Sequence, residues 1–354
     1  MSNYGAANSR NDYHGSSGQD EEQPLLNNPK DIKMSRDGAA SFFATFGIIW
    51  TIISLQAFIR WVSSPTEFRP APIIGPDEME TWRLVSLRIF ETISVAVLAV
   101  HIWFFTLVPL FPRLRNFRQT EEKGHFSLDG RYVVGGLIAV FADGFLNCYQ
   151  YIFMWNSHSI NLGVWAKFLP FHNSNASSRY AESLLWGPPM YVYFCAGIGW
   201  IGCGIATRMR RRFPYLTNAG IYTIVWLFDF AFDFVVENLA IRITRGYGFS
   251  KTYGPLTLFP GKVYQFPIYE SIFVATLGCL FSVMRLKAYD DGNGISPIES
   301  GYWNWPQQLH GIIRTFAIIG FCAAAVIFCY HLPLNWLGII GDCHAETPSY
   351  MKPG

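Results

Sequence analysis

Ile221-Tyr-Thr-Ile-Val-Trp-Leu-Phe-Asp229-Phe-Ala-Phe-Asp233-Phe-Val-Val-Glu237-Asn-Leu-Ala-Ile241 is a run of large apolar side chains broken by three acids. The stretch, which extends to Ile243, is long and apolar enough to cross a bilayer as a helix. Asp229, Asp233 and Glu237 each follow the last by four residues, so a helix sets all three on one face. An acid at the centre of a membrane helix costs roughly 2.5–3.5 kcal/mol on insertion scales. Such acids are tolerated where they face a bundle interior or a wet cavity, and there they mark function. The plainer reading is a polar network between helices, and it applies most readily to Asp229.

The rest of the chain fits a membrane protein. Its 354 residues are 51% hydrophobic and 17% aromatic, with only 15% charged. Mean hydropathy is +0.19, and the apolar residues are gathered in long blocks. A net charge of +2 gives no nucleic-acid footprint. The seven cysteines form no CxxC and, except for Cys343, lie in apolar blocks, so they read as packing residues. The histidines form no HExxH pair. No motif for a metal or a cofactor is visible, and none is expected.

Residues 1–40 are rich in Asn, Gly, Ser and Asp and read as a disordered tail. Glu21-Glu-Gln-Pro-Leu25-Leu26 resembles an acidic dileucine signal but matches as well by chance, and no cleavable leader is expected. Seven spans are predicted, at about Ser41–Val62, Leu84–Val108, Tyr132–Phe153, Pro189–Thr207, Ile221–Ile243, Pro267–Met284 and Arg314–Leu332. The fold class is thus all-α and polytopic, with a transmembrane domain over 41–340 and a far-side tail over 341–354. The run Gly197-x-Gly199-x-x-Gly202-x-Gly204 reads as close helix packing, since no strand precedes it. No internal repeat supports a two-half transporter.

Basic residues set the orientation. Lys30, Lys33 and Arg36, then Arg113, Arg115, Arg118, Lys123 and Arg131, then Arg208 with Arg210 to Arg212, then Arg285 and Lys287 all fall on one side. The N-terminus is therefore predicted to be cytosolic. The sequon Asn175-Ala-Ser177 falls in a far-side loop.

With that topology, Glu91, Asp143, Asp233, Glu237 and Glu270 share the outer half of the membrane. Asn147, Tyr191, Trp165 and Tyr264 join them as substrate contacts, the far-side loops lying over the pocket as a lid. For the loop aromatics an interfacial belt serves equally well. Acids crowded in a low-dielectric pocket resist ionising, and one that keeps its proton can act as a general acid. Aromatic faces can stabilise a passing carbocation. The same set suits cyclisation of a lipophilic polyene or epoxide, ketal formation, or proton-coupled transport. A seven-span receptor is disfavoured by the cytosolic N-terminus and by the lack of NPxxY in the last span. A non-catalytic membrane partner of a pathway enzyme is the remaining alternative.

Further motifs sharpen this choice. Asp143-x-x-x-Asn147, Trp155-Asn156, Asn161-Leu-Gly-Val-Trp165 and Pro170 are followed by Trp186-Gly-Pro188-Pro-Met-Tyr191 and Phe232-Asp233-x-x-x-Glu237. The most specific block is Leu256-Thr-Leu-Phe259-x-Gly261-x-x-Tyr264-Gln-Phe-Pro-x-Tyr-Glu270. Over roughly residues 130–340 the chain resembles the AveC-like spirocyclases of actinomycete polyketide pathways. In layout it is also similar to fungal membrane-bound terpene cyclases of the ascofuranone and macrophorin type, which act on farnesylated phenols or their epoxides. Val164 stands where the bacterial pattern has Ser, which weakens transfer of a spiroketal substrate more than transfer of the fold. Neither DDxxD nor DxDD is present, so magnesium-driven diphosphate ionisation is not expected.

The resemblance implies a terpene cyclase of meroterpenoid biosynthesis in the endoplasmic reticulum or another endomembrane. Its partners would be the bilayer, a prenylated small molecule and pathway enzymes such as an epoxidase. The pocket argument assigns catalysis to Asp233, Glu237, Glu270 and Asp143, and substrate binding to Asn147, Glu91, Tyr264, Trp165 and Tyr191.

Overall fold

The structure is a computed structural model, and it describes residues 38–111, 126–292 and 294–354. The acidic tail, the dileucine-like motif and the basic residues of 1–36 and 113–123 lie outside the described residues. The helices are α1 (Ala39–Val62), α2 (Thr81–Leu110), α3 (Leu128–Ala139), α4 (Gly187–Arg212), α5 (Asn218–Thr244), α6 (Ile268–Asp290) and α7 (Gln307–Ile340). Six of them are long and apolar enough to cross a membrane; α3 is the exception.

The third span differs most from its sequence expectation. α3 stops at Ala139 and passes into a tighter 3-10 turn, Val140–Leu146, before the chain leaves the helix. Asp143 and Gly144 are weak helix formers, and Asp143 bonds sideways rather than along the chain. The turn is enclosed: Val140 and Ala142 to Leu146 are buried, and a Cβ on Gly144 would meet the Leu169 side chain. Irregular backbone is tolerated at membrane depth when protein, not lipid, surrounds it.

α4, α6 and α7 form the interior of the bundle, while α1, α2 and α5 carry its outer surface. Ile49, Ile52, Leu55 and Ile59 of α1, Val85, Ile89 and Ile93 of α2, and Leu227, Val235, Val236 and Leu239 of α5 are exposed. That much apolar surface needs a lipid or protein cover. α1 lies directly on α7 through small residues. A Cβ on Gly320 would fall 1.9 Å from the Phe43 carbonyl, and one on Gly47 2.1 Å from that of Phe316. The α4 glycines behave as expected at three positions: Gly197 lies against His101, Gly199 against Phe281 and Gly202 against Ser282. Gly204 faces open space.

All the loops expected on the far side meet at one end of the bundle. β1 (Phe153–Trp155) pairs antiparallel with β2 (Tyr247–Phe249). β3 (Lys251–Thr252) pairs with β6 (Cys343–His344), and β4 (Thr257–Leu258) with β5 (Phe266–Pro267). Ala71 N donates to Asn161 Oδ1 at 2.8 Å, Ser349 N to Asp77 Oδ2 at 2.8 Å, and Ser157 N to the Tyr350 carbonyl at 2.7 Å. The C-terminal segment is thus built into this cap. At the opposite end buried ion pairs hold the helices: Glu299 with Arg131 at 2.7 Å and Arg314 at 2.9 Å, and Arg285 with Asp129 at 2.5 Å.

Candidate active site

Buried carboxyls fall into two classes. Glu91, Glu299 and Glu67 each face a cation, Arg88, Arg131 with Arg314, and Lys167 respectively. Asp143, Glu182, Asp229, Asp233, Glu237 and Glu270 have no ion pair among the described residues. An acid buried beside a cation is readily explained as structural. One buried without a cation is a candidate for chemistry.

Asp233, Glu237 and Glu270 converge. α5, capped by Thr217, whose side chain accepts from Gly220 N, presents Asp229, Asp233 and Glu237 along the face turned to α6. Glu270 comes from the first turn of α6. Ligand oxygens of Asp233, Glu237 and Glu270 lie within 4.8 Å of one another. Two hydroxyls hold Glu270: Tyr330 donates to its Oε1 at 3.1 Å and Ser271 to its Oε2 at 3.4 Å, while Tyr247 stands beside Glu237. Asp233 Oδ2 has no hydrogen-bond partner among the described residues. Hard oxygen donors at this spacing could also bind Mg²⁺ or Ca²⁺.

Asp143 heads a second group. Its Oδ1 accepts from the Tyr191 hydroxyl, which lies 2.6 Å from His331 Nε2. Glu182, in the loop before α4, is buried, and neither of its oxygens is bonded among the described residues. Burial pushes its pKa well above the ordinary carboxyl range, and the Asp143 carboxyl pushes the same way. α7 reaches both groups through a π-type turn at Ile327–His331. Two successive residues of that turn face inward, Tyr330 toward Glu270 and His331 toward Tyr191.

A cavity of about 320 Å³ lies against the first group, with Asp233 and Glu237 in its wall. Phe90, Trp186, Tyr193, Phe194 and Tyr247 line much of the rest. Its outer rim includes Ile93, Phe232 and Val236, which are exposed within the apolar surface of α2 and α5. The cavity thus opens sideways, toward what a bilayer would fill.

Other expected site residues sit elsewhere. Glu91 is buried in the Arg88 pair and accepts from Ile160 N at 2.9 Å, holding a cap loop to α2. Asn147 ties its own turn, accepting from Ile152 N at 2.8 Å and donating to the Phe153 carbonyl at 2.9 Å. Trp165 packs against Trp61 and Phe141 beneath α1. Tyr264 lies under the Arg242 guanidinium, 4.9 Å from its ring centre. Asp229 is buried one turn from Asp233, against Gly278, with neither oxygen bonded among the described residues. Asn175 is exposed on the cap. Glu182, Tyr247, Tyr330 and His331 were not singled out by sequence reasoning; Trp155 and Trp186 appear there only as motif positions.

A family model described as Spirocyclase AveC-like matches residues 125–348, well over half of the chain. No curated protein and no solved structure matches it.

Proposed function

The chain belongs to the AveC-like spirocyclase family, and from that premise we propose that it is a membrane-embedded cyclase of secondary metabolism that closes rings by carboxylic-acid protonation. The observation that carries this reading is the cavity: aromatic walls, an opening into the apolar belt, and Asp233 and Glu237 side by side in its wall. Its volume is at the small end of the roughly 300–1,000 Å³ usual for ligand sites, enough for the reacting part of a long lipophile.

The substrate we favour is a prenylated aromatic or its epoxide. Asp233 or Glu237 gives a proton to the epoxide oxygen, or to an alkene carbon. The C–O bond opens or the cation forms, and a neighbouring π bond closes the ring. Trp186, Tyr247 and Phe194 stabilise the cation by their faces. A carboxylate of the same group takes a proton back, so the product is an isomer of the substrate. Glu270 or Asp143 orients the acid or resets it. Spiroketal formation is the second reading, favoured by the family's description. There the acid protonates a departing hydroxyl and water is lost.

The same reading makes it an endomembrane protein with seven spans and a cytosolic N-terminus, counting α3 with its 3-10 extension as the seventh; the basic-residue bias and the length of that extension support it. Microsomes containing the protein should be given a farnesylated phenol, its terminal epoxide and a dihydroxyketone. A product isomeric with the epoxide supports the first reading, and loss of one water from the dihydroxyketone supports the second. Conversion of none of the three would count against an acid cyclase of either kind.

A further inference from the structure

The 320 Å³ cavity does not end at the acid pair. Val97 and Tyr193 also line a second void of about 520 Å³ between α2 and α4. Trp200 and Ile201 carry that void into a third, of about 840 Å³, at the end of α4 away from the cap. The three voids thus lie end to end along α4, sharing walls, and together make a groove interrupted only by side chains. It is apolar through Phe104, Phe105 and Trp200, then becomes basic at Arg208, Arg210 and Arg211. Arg210 is occupied by Asp290 at 2.8 Å. Arg208 and Arg211 are exposed and have no partner among the described residues. From Tyr193 to Arg208 the helix rises roughly 22 Å at 1.5 Å per residue. One leaflet supplies only about 15 Å of hydrocarbon, half of a roughly 30 Å core. The groove therefore reaches past the midplane of the bilayer, and its inner end is the reactive one.

Resting on the cyclase reading, we propose that this groove holds the substrate itself, a linear lipophile with an anionic head, bound with its head at Arg208 and Arg211 and its distal tip at Asp233 and Glu237. Ring closure then begins at the end of the molecule remote from the acidic group. The positions of the charges fix this polarity: the unpaired arginines are at one end and the unpaired acids at the other. An anion placed beside Asp233 would meet carboxyls, not cations.

The test needs no turnover, so it can fail independently of the cyclase assay. The full-length protein in nanodiscs is irradiated with palmitic acid carrying a diazirine at its distal end, or with the methyl ester of that probe, and labelled peptides are mapped. The acid should label the peptide around Met190 and Tyr193 above the ester by roughly three- to tenfold, the range expected of two interfacial charge contacts. Arg208→Gln with Arg211→Gln should abolish that preference, and neither side chain holds the fold. Gly204→Leu is the second variant. A side chain there meets no neighbour, so the helix packing survives while the groove is blocked, and labelling by both probes should fall. Equal labelling by acid and ester in the parental protein would overturn the proposal. So would native mass spectrometry showing an anionic phospholipid retained by the parental protein and lost from the double variant, because the arginines would then belong to a structural lipid.

Discussion

The Tyr330 hydroxyl donates to Glu270 Oε1 at 3.1 Å, and this bond ties the last helix to the acid site. Ser271 is a weaker second partner at 3.4 Å. Tyr330→Phe should leave a folded protein whose Glu270 is less firmly held. One such bond is worth about 0.5–1.5 kcal/mol, so kcat should fall roughly two- to tenfold while KM stays close to the parental value. An unchanged kcat would show that the orientation of Glu270 does not matter to the chemistry.

Asp233 and Glu237 line the cavity, whereas Asp229 does not. Asp233→Asn and Glu237→Gln keep shape and remove the transferable proton. General acid–base help is commonly worth about 10²–10⁴ in rate, so each should lower product formation at least about tenfold in a protein that still inserts. Asp229→Asn should do less. Parental rates in the first two with a loss in the third would move the reacting centre one turn deeper. Silence in all three would make the acid face structural.

Glu182 offers a pH test away from the spans. Its pKa is raised in the folded protein by burial, and further by Asp143. The folded state therefore binds more protons than the unfolded state between the ordinary Glu value, about 4.3, and the raised one. Stability from the protonated carboxyl is complete below the ordinary value and lost as pH rises through the folded value. Glu182→Gln should flatten that loss. Thermal melts in detergent at about pH 5 and about pH 8 compare the two proteins. Identical pH slopes would mean that Glu182 is solvated rather than buried.

Much of this was legible in the chain. Long apolar blocks gave the six long helices, and the i+4 spacing gave the face of α5. Asp143 and Tyr191 were visible as polar residues in expected spans, though nothing indicated that they would bond to each other. The ion pair of Glu91 was also legible, since its partner stands three residues before it: Arg88 at i−3 accounts for a buried acid. Glu182 had no signal, because a loop residue belongs to no period and an acid there is ordinarily solvated. Tyr330 and His331 were hidden for another reason. Their partners, Glu270 and Tyr191, lie 60 and 140 residues away in the chain, and no local pattern pairs them. The cap, built from four separated segments, is a long-range pairing that no local pattern encodes.

Metal dependence follows from how the acid group is satisfied. The carboxyls of Asp233, Glu237 and Glu270 are close enough to share a cation. Yet hydroxyls of Tyr330 and Ser271 already bond to Glu270, and the Tyr247 hydroxyl stands beside Glu237, as suits acids that share protons. Product formation should survive EDTA. Activity lost to chelation and restored by Mg²⁺ would reassign the group as an oxygen-donor cation site.

The membrane topology turns on α3. At 1.5 Å per helical residue and about 2 Å per 3-10 residue, Leu128–Leu146 spans roughly 32 Å, enough to cross a core of about 30 Å. It also joins the two ends of the bundle, from Asp129 beside Arg285 to Asn147 in the cap. If it crosses, the spans number seven, and the chain's ends lie on opposite sides of the membrane. The cap carries the exposed Asn175 and holds the C-terminal segment, with Gly354 N bonded to the Arg179 carbonyl at 2.7 Å. In sealed microsomes, protease should remove an epitope tag at residue 2 and spare one at the C-terminus. Glycosidase should shift or sharpen the band of the protein from its host. Equal protection of both tags would leave α3 as a re-entrant segment within the bundle and put the chain's ends on one side.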